Sequence, residues 1–188
     1  MRQVAVVGAG MTRFGKHQDR SMKDLAREAV ENALRSANVE QETIEAATVG
    51  NAVAGLITGQ ECIRGQVVLR EMGIGGIPVI NTENACASSS TAFHIAWLYV
   101  ASGMYDTVLA VGMEKLFHPD KKRTFTAIGS AIDLELGDEF ARQMSGEQSG
   151  GAGESRSVFM RAVDSLPRQN HDPTDSGLRQ PLPDNRRP

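Results

Sequence analysis

The sequence predicts an α/β fold, a mostly parallel sheet with helices on both faces. Three observations carry this expectation. Short β-branched runs alternate with helix-like segments over residues 1–116. One of those segments, Ser21 to Asn38, has the full pattern of an amphipathic helix. The composition, 40% hydrophobic and 23% charged over 188 residues, fits a globular chain able to build a core.

The elements follow in order. Val4 to Val7 is a β-branched run ending at Gly8 and reads as a buried strand. In Ser21 to Asn38 the apolar positions Met22, Leu25, Ala26, Ala29, Val30, Ala33, Leu34 and Ala37 form one face, and Ser21 with Asp24 reads as a capping box. Ala47 to Val49 is the second expected strand. Glu61 to Met72 is a helix ended by Gly73, and Ile77 to Ile80 is the third strand. Cys86 to Ser102 is small at its start and apolar all round from Ala92 to Val100, so burial on every side is expected. Gly103 ends it, and Thr107 to Val111 is the fourth strand. This βαβαβαβ order is that of an α/β domain.

The pattern then weakens. Residues 117–160, rich in Gly, charge and Met, read as an excursion with short helices. Residues 161–188 hold five of the seven prolines and only Ala162, Val163, Leu166, Leu178 and Leu182 as hydrophobic residues. Such a tail cannot bury enough surface to offset its ordering entropy, so disorder is expected.

Charge and cysteine usage narrow the function classes. Twenty Lys+Arg against 23 Asp+Glu leave a net charge of −3, without the basic excess of a dedicated nucleic-acid binder. No apolar run approaches the roughly 20 residues of a membrane span, and the first residues lack the pattern of a signal peptide. Cys62 and Cys86 make no disulfide framework, so a reducing, cytoplasmic setting is expected. His17, His94, His118 and His171 share no ligand spacing with the cysteines, so no metal site is expected. Gly8-Ala9-Gly10 follows a strand as a dinucleotide fingerprint would, but position 13 is Arg13, and a strand-exit turn with positive φ is the plainer reading.

Cys86 is the candidate nucleophile. It stands in Asn81-Thr82-Glu83-Asn84-Ala85-Cys86-Ala87-Ser88-Ser89-Ser90-Thr91-Ala92, with a strand leading in and a helix leading out. Unpaired N–H groups and the macrodipole at a helix start favour negative charge and suit a thiolate. The competing reading is a buried cysteine packing as a small hydrophobe. Cys62, expected within a helix, reads as structural. Lys121-Lys122-Arg123 is either a solvated charge run or a contact for phosphates. Met104, Met113, Met144 and Met160 are either core and loop filler or the lining of an acyl pocket.

Four segments carry a resemblance. Val4 to Gly15 is similar to the opening strand and loop of the thiolases, and Asn84-Ala85-Cys86-Ala87-Ser88 to their nucleophile motif. Asp106 to Lys115 resembles the strand and turn after the nucleophile helix, and Gly151 to Met160 has the family's look. The chain thus resembles thiolases over residues 1–160, most closely the sterol-carrier-protein type and the acetyl-CoA acetyltransferases, and only their N-terminal half. The resemblance implies an α/β domain over 1–116, the family's loop region over 117–160, and the tail over 161–188. It implies an acyltransferase acting on acyl-CoA or 3-ketoacyl-CoA thioesters, with Cys86 as the acylated nucleophile and its backbone N–H at the oxyanion. Asn84 and Ser88 would shape the turn. Coenzyme A enters as substrate, with no permanently bound cofactor, and a homodimer is implied. The family's activating histidine and second cysteine lie in the half not matched, so the chain is expected to be truncated and inactive alone. His94 reads as a core residue. The break after Met160 resembles a shifted reading frame or a truncated gene.

Three other readings compete. One is a non-catalytic module that binds acyl-CoA, lipid or a partner subunit. Another is a ketoacyl-synthase-like condensing enzyme with a cysteine on a similar fold. The last is a poorly folding fragment that exposes the surface its missing half should cover.

Overall fold

A computed structural model describes residues 1–135, of which Met1–Asp133 form one unit. Three strands, β1 (Ala46–Gly50), β2 (Val79–Thr82) and β3 (Val108–Gly112), form a parallel sheet in the order β2-β1-β3. Thr48 lies between Ile80 and Ala110, and Gly50 between Thr82 and Gly112. The described residues also form five α-helices: α1 (Met22–Ala37), α2 (Ala54–Thr58), α3 (Arg64–Glu71), α4 (Ser88–Ser102) and α5 (Lys121–Gly129).

Side-chain alternation along β1 assigns the layers. The Thr48 hydroxyl donates to Ala92 O of α4 at 2.9 Å. Val49 points the other way, so close to Gly65 of α3 that a Cβ there would lie 2.8 Å from Val49 Cγ2. The sheet therefore has α4 on one face and α1 with α3 on the other, and every residue of β1 is buried. Met22, Ala26, Val30, Ala47, Val49, Val68, Leu69, Val111 and Met113 fill the core on the α1 and α3 side. Among the described residues no helix is long and apolar enough to cross a membrane.

Helix α1 follows its sequence closely. Asp24 N donates to Ser21 Oγ at 3.2 Å, and Ser21 N donates back to the Asp24 carboxylate at 2.8 Å, which closes the capping box. Asn38 closes the far end in the left-handed conformation. The hydrogen bonds from the Ser21 hydroxyl and backbone, the larger cause first, hold Asp24 below the ordinary carboxylate value of 3.8. A lowered folded pKa adds stability above the unfolded value and loses it as pH falls. The expected outcome is a melting temperature that drops on acidification below about pH 4, less steeply in Ser21→Ala, as read by circular dichroism.

Several expectations need correction. Val4 to Val7 is not a strand. Arg2 N–H reaches Ala101 O at 2.9 Å, and its guanidinium meets Val100 O, Tyr105 O and the Asp106 carboxylate, tying the start of the chain to the end of α4. The segment then crosses to α1 without reaching a sheet edge, and Val6 and Val7 stay exposed. β-Branched residues favour a strand only where an edge is there to pair. Gly8 and Gly10 serve close approach, not positive φ: a Cβ at Gly8 would lie 2.6 Å from Ala37 Cβ, and one at Gly10 would strike the α1 backbone at Ala29 and Ala33. β2 begins at Val79, two residues later than expected, because Pro78 has no N–H to give and contributes only its carbonyl, to Ala47 N. α3 begins at Arg64, after Ile63 in the left-handed region, which leaves Cys62 in an exposed loop outside the helix.

Burial of α4 on every side also needs correction. Its small residues Ser88, Ala92, Ala96 and Ala101 seat it on the sheet. Phe93 at 53% and Trp97 at 37% exposure face outward, and no described element covers them. His94 is exposed beside them, stacked on Trp97 at 6.1 Å, and is no core residue.

Candidate active site

The C-terminal ends of the parallel strands form the rim where open α/β sheets place their chemistry. β2 ends at Thr82, α4 begins at Ser88, and Cys86 lies in the turn between them. Its thiol is free and exposed, which sets aside the reading as a buried packing residue.

Hydrogen bonds define this turn almost completely. Ala85 N donates to Glu83 Oε1 at 2.6 Å, and Ala87 N to Asn84 O at 2.8 Å. Ser88 Oγ accepts from Asn84 N at 2.9 Å and donates to Ala85 O at 2.7 Å. Asn84 Nδ2 reaches Thr91 Oγ1 at 3.0 Å. Asn84 and Ser88 thus shape the turn. Ala85, just before Cys86, has φ +43°, a left-handed conformation that costs about 1 kcal/mol in a residue bearing a Cβ. Ala85→Gly is expected to keep or slightly raise stability, and Ala85→Val to lower it by about 2 kcal/mol, both read by denaturant unfolding.

The helix above the turn rests on glycines. A Cβ at Gly50, the last residue of β1, would meet Ser88 O and Ser89 Cα, each at 2.6 Å. At Gly112, the last residue of β3, it would meet the Ser89 side chain, with Cβ at 2.8 Å. The Thr82 hydroxyl, from the end of β2, donates to Ser88 O at 2.9 Å. All three strand ends therefore set the first turn of α4. Its N-cap, Ala87, supplies no side-chain cap, and the N–H groups of Ala87 and Ser88 turn back to Asn84 O and Ala85 O.

Two residues after β3 moor the neighbouring loops. Glu114 Oε2 accepts from Ala52 N at 3.0 Å and Val53 N at 3.1 Å, and Glu114 Oε1 accepts from Asn51 Nδ2 at 3.3 Å. Asn51 is 3% exposed, and its Oδ1 is a buried acceptor without a partner among the described residues. Lys115 Nζ donates to His17 O at 3.0 Å and also to Arg20 O.

The other candidates lie apart from Cys86. Lys121, Lys122 and Arg123 are exposed on the first turn of α5, a short helix in the stretch expected to hold one. Met113 is buried in the core, whereas Met104 is 62% exposed. No described imidazole meets Cys86: His17 Nε2 pairs with Arg13 O, His118 Nδ1 with the Asp120 backbone, and His94 with Trp97. Among the described residues no group of three or more His, Cys, Asp or Glu could hold a metal ion. Met144, Met160, His171, the Gly151 to Met160 segment and the 161–188 tail lie outside the described residues.

Sequence reasoning missed Gly50, Gly112, Thr82 and Glu114. A visible signal existed for the glycines, since both strands end in Val-Gly. What the glycines make room for is a helix that only the tertiary fold brings there.

Comparison with known proteins adds a lineage. The family model for the thiolase N-terminal domain matches residues 4–152. Acetyl-CoA acetyltransferase of Methanocaldococcus jannaschii is 42% identical over 135 residues, covering 72% of this chain and 34% of that protein. Sterol carrier protein 2 of Gallus gallus is 39% identical over 137 residues, covering 72% of this chain and 24% of its own. The solved 3-oxoacyl-[acyl-carrier-protein] synthase III of Aquifex aeolicus VF5 has a TM-score of 0.46 at 25% identity, over 53% of this chain and 31% of that one. The matched stretch thus spans about a third of the acetyl-CoA acetyltransferases it resembles, 34% in both.

Proposed function

The chain belongs to the thiolase family, matched through that family's N-terminal domain, and on that footing we propose that it carries the nucleophile of a thiolase-type acyl transfer, Cys86. The observation that supports this most directly is an exposed, free thiol in a strained turn at an uncapped helix start.

In the complete family reaction, whose activating histidine and second cysteine lie in the half not matched, two displacements follow each other. Cys86 Sγ, as thiolate, attacks the C3 carbonyl carbon of a 3-ketoacyl-CoA thioester. The S–C bond forms and the C2–C3 bond breaks. The acyl group stays on Cys86 as a thioester, and acetyl-CoA leaves as its enolate and takes up a proton. The thiol of a second coenzyme A, losing its proton, then attacks the acyl-Cys86 carbonyl, which releases acyl-CoA and restores the Cys86 thiolate. One difficult displacement is divided into two easier ones. Developing negative charge on the carbonyl oxygen meets the backbone N–H of Cys86, as the family resemblance implies. Glu83 and the Asn84 and Ser88 side chains hold the turn so that this donor need not reorganise during the reaction. The same reading includes a reducing, cytoplasmic setting that keeps the thiol free. It also includes a homodimer, carried by the family resemblance alone and checked by the mass in light scattering.

The test is incubation of the full chain with a 3-ketoacyl-CoA, followed by peptide mapping of the adduct. Acylation of Cys86 with Cys62 unlabelled supports the reading. Saturable acyl-CoA binding without an adduct points instead to a non-catalytic module. Preference for a carrier-protein thioester over the CoA thioester points to a condensing enzyme.

A further inference from the structure

Helix α4 seats on the sheet through one side only. At about 3.6 residues per turn, Ser88, Ala92 and Ala96 share that side, and all three are buried. Phe93, His94, Trp97 and Leu98 share the opposite side. Phe93 is 53% exposed, Leu98 40% and Trp97 37%, and the His94 ring stacks on the Trp97 ring with 14° between their planes. Large side chains gathered on one helix face form a contact surface, unlike apolar residues scattered singly. None of them has a part in the acyl transfer.

The order of residues on this face selects its partner. α4 carries no Asp, Glu, Lys or Arg in its 15 residues. Nothing on it attracts a partner of opposite charge, and nothing on it repels a copy of itself. The large residues are also placed symmetrically. A two-fold axis crossing the helix between Ile95 and Ala96 exchanges Phe93 with Leu98 and His94 with Trp97. The same axis exchanges Ser90 with Ala101 and Ser89 with Ser102. Large side chains therefore meet large ones at the centre, and small ones meet at both ends. This is the reciprocal pattern that a two-fold contact requires, in which each position meets its counterpart twice. The axis runs the two helices antiparallel, so their dipoles also oppose.

We propose that a second copy of this chain covers the outer face of α4, the two α4 helices packing antiparallel about this axis. Phe93 of each copy lies against Leu98 of the other, and His94 of each against Trp97 of the other. Such a contact closes at two copies. A helix of this length spans about 22 Å, so the contact falls short of the roughly 800 Å² per partner of a standard interface. A dimer in exchange with monomer at about 10–100 µM is therefore expected. The pairing is independent of the chemistry at Cys86.

Trp97 is the single tryptophan of the chain, so its fluorescence reads this face directly. The full chain is followed by sedimentation velocity and by Trp97 emission from about 1 to about 300 µM. The expected result is a doubling of mass and a blue shift of emission that share one midpoint. Phe93→Asp should abolish both over the whole range, because it sets a carboxylate against an apolar side chain. Adding Leu98→Lys should restore them, with at least about a tenfold gain in affinity over Phe93→Asp alone. The two positions lie about 140° apart around one helix and meet only across the axis. A chain that stays monomeric throughout overturns the proposal. So does association that continues past two copies. A doubling of mass with unshifted Trp97 emission also overturns it, and leaves standing a homodimer formed through another surface. So does a double variant that stays monomeric while keeping the circular dichroism of the unmodified chain. Should either variant misfold, the shared midpoint of mass and emission in the unmodified chain still decides.

Discussion

Gly50→Ala is expected to lift the first turn of α4 off the sheet and to slow acylation of Cys86 by at least about tenfold. The added Cβ meets backbone, Ser88 O and Ser89 Cα, each at 2.6 Å, and a backbone cannot swing aside as a side chain does. Overpacking of this kind costs about 1–3 kcal/mol, a large share of the stability of a small domain. Gly112→Ala makes a sharper comparison, because its Cβ meets the side chain of Ser89 rather than the backbone of Ser88 and Ser89. Removing that side chain with Ser89→Gly should therefore recover much of the loss caused by Gly112→Ala and little of the loss caused by Gly50→Ala. Denaturant midpoints and acylation rates of the three single variants and two doubles provide the measurement. Equal rescue of both glycine variants would show that the seat under α4 is not what limits them.

Cys86→Ala carries the largest expected effect on chemistry. The acyl adduct should fall by at least about a thousandfold, to the background of non-specific thiol labelling. Coenzyme A affinity should change by less than about twofold, because an exposed thiol in the turn contributes little to the fold. Cys62→Ala is the control. It removes the other exposed thiol, which lies between α2 and α3, and should leave acylation unchanged.

What could be read in the sequence divides along physical lines. Local signals held. Ser21, Asp24 and Asn38 fix both ends of α1 through bonds within a few residues. Gly73 and Gly103 end α3 and α4 in left-handed conformations that glycine adopts freely. The placement of Cys86 between a strand and a helix was legible for the same reason, since a strand, a run of small residues and a helix follow one another without a break. Non-local pairing was not legible. Val4 to Val7 has strand chemistry, but whether an edge accepts it is decided by Arg2 at the end of α4 and by Gly8 and Gly10 on α1. Helix α4 shows the limit from the other side. Its apolar composition implied burial all round, whereas its small residues alone meet the sheet and Phe93 and Trp97 look outward. Within the site, the role of Gly50 depends on which helix crosses it.

Discharge of the acylated chain by free coenzyme A tests the central claim most directly. The protein is first labelled with an isotopically marked acyl-CoA, freed of excess reagent, and then given unlabelled coenzyme A while the mass of the Cys86 peptide and the appearance of marked acyl-CoA are followed together. Thiolase-type transfer through Cys86 requires the peptide to lose its acyl mass at the rate at which marked acyl-CoA appears. An adduct that forms on Cys86 but persists in the presence of coenzyme A, or one that forms equally on Cys62, would contradict it.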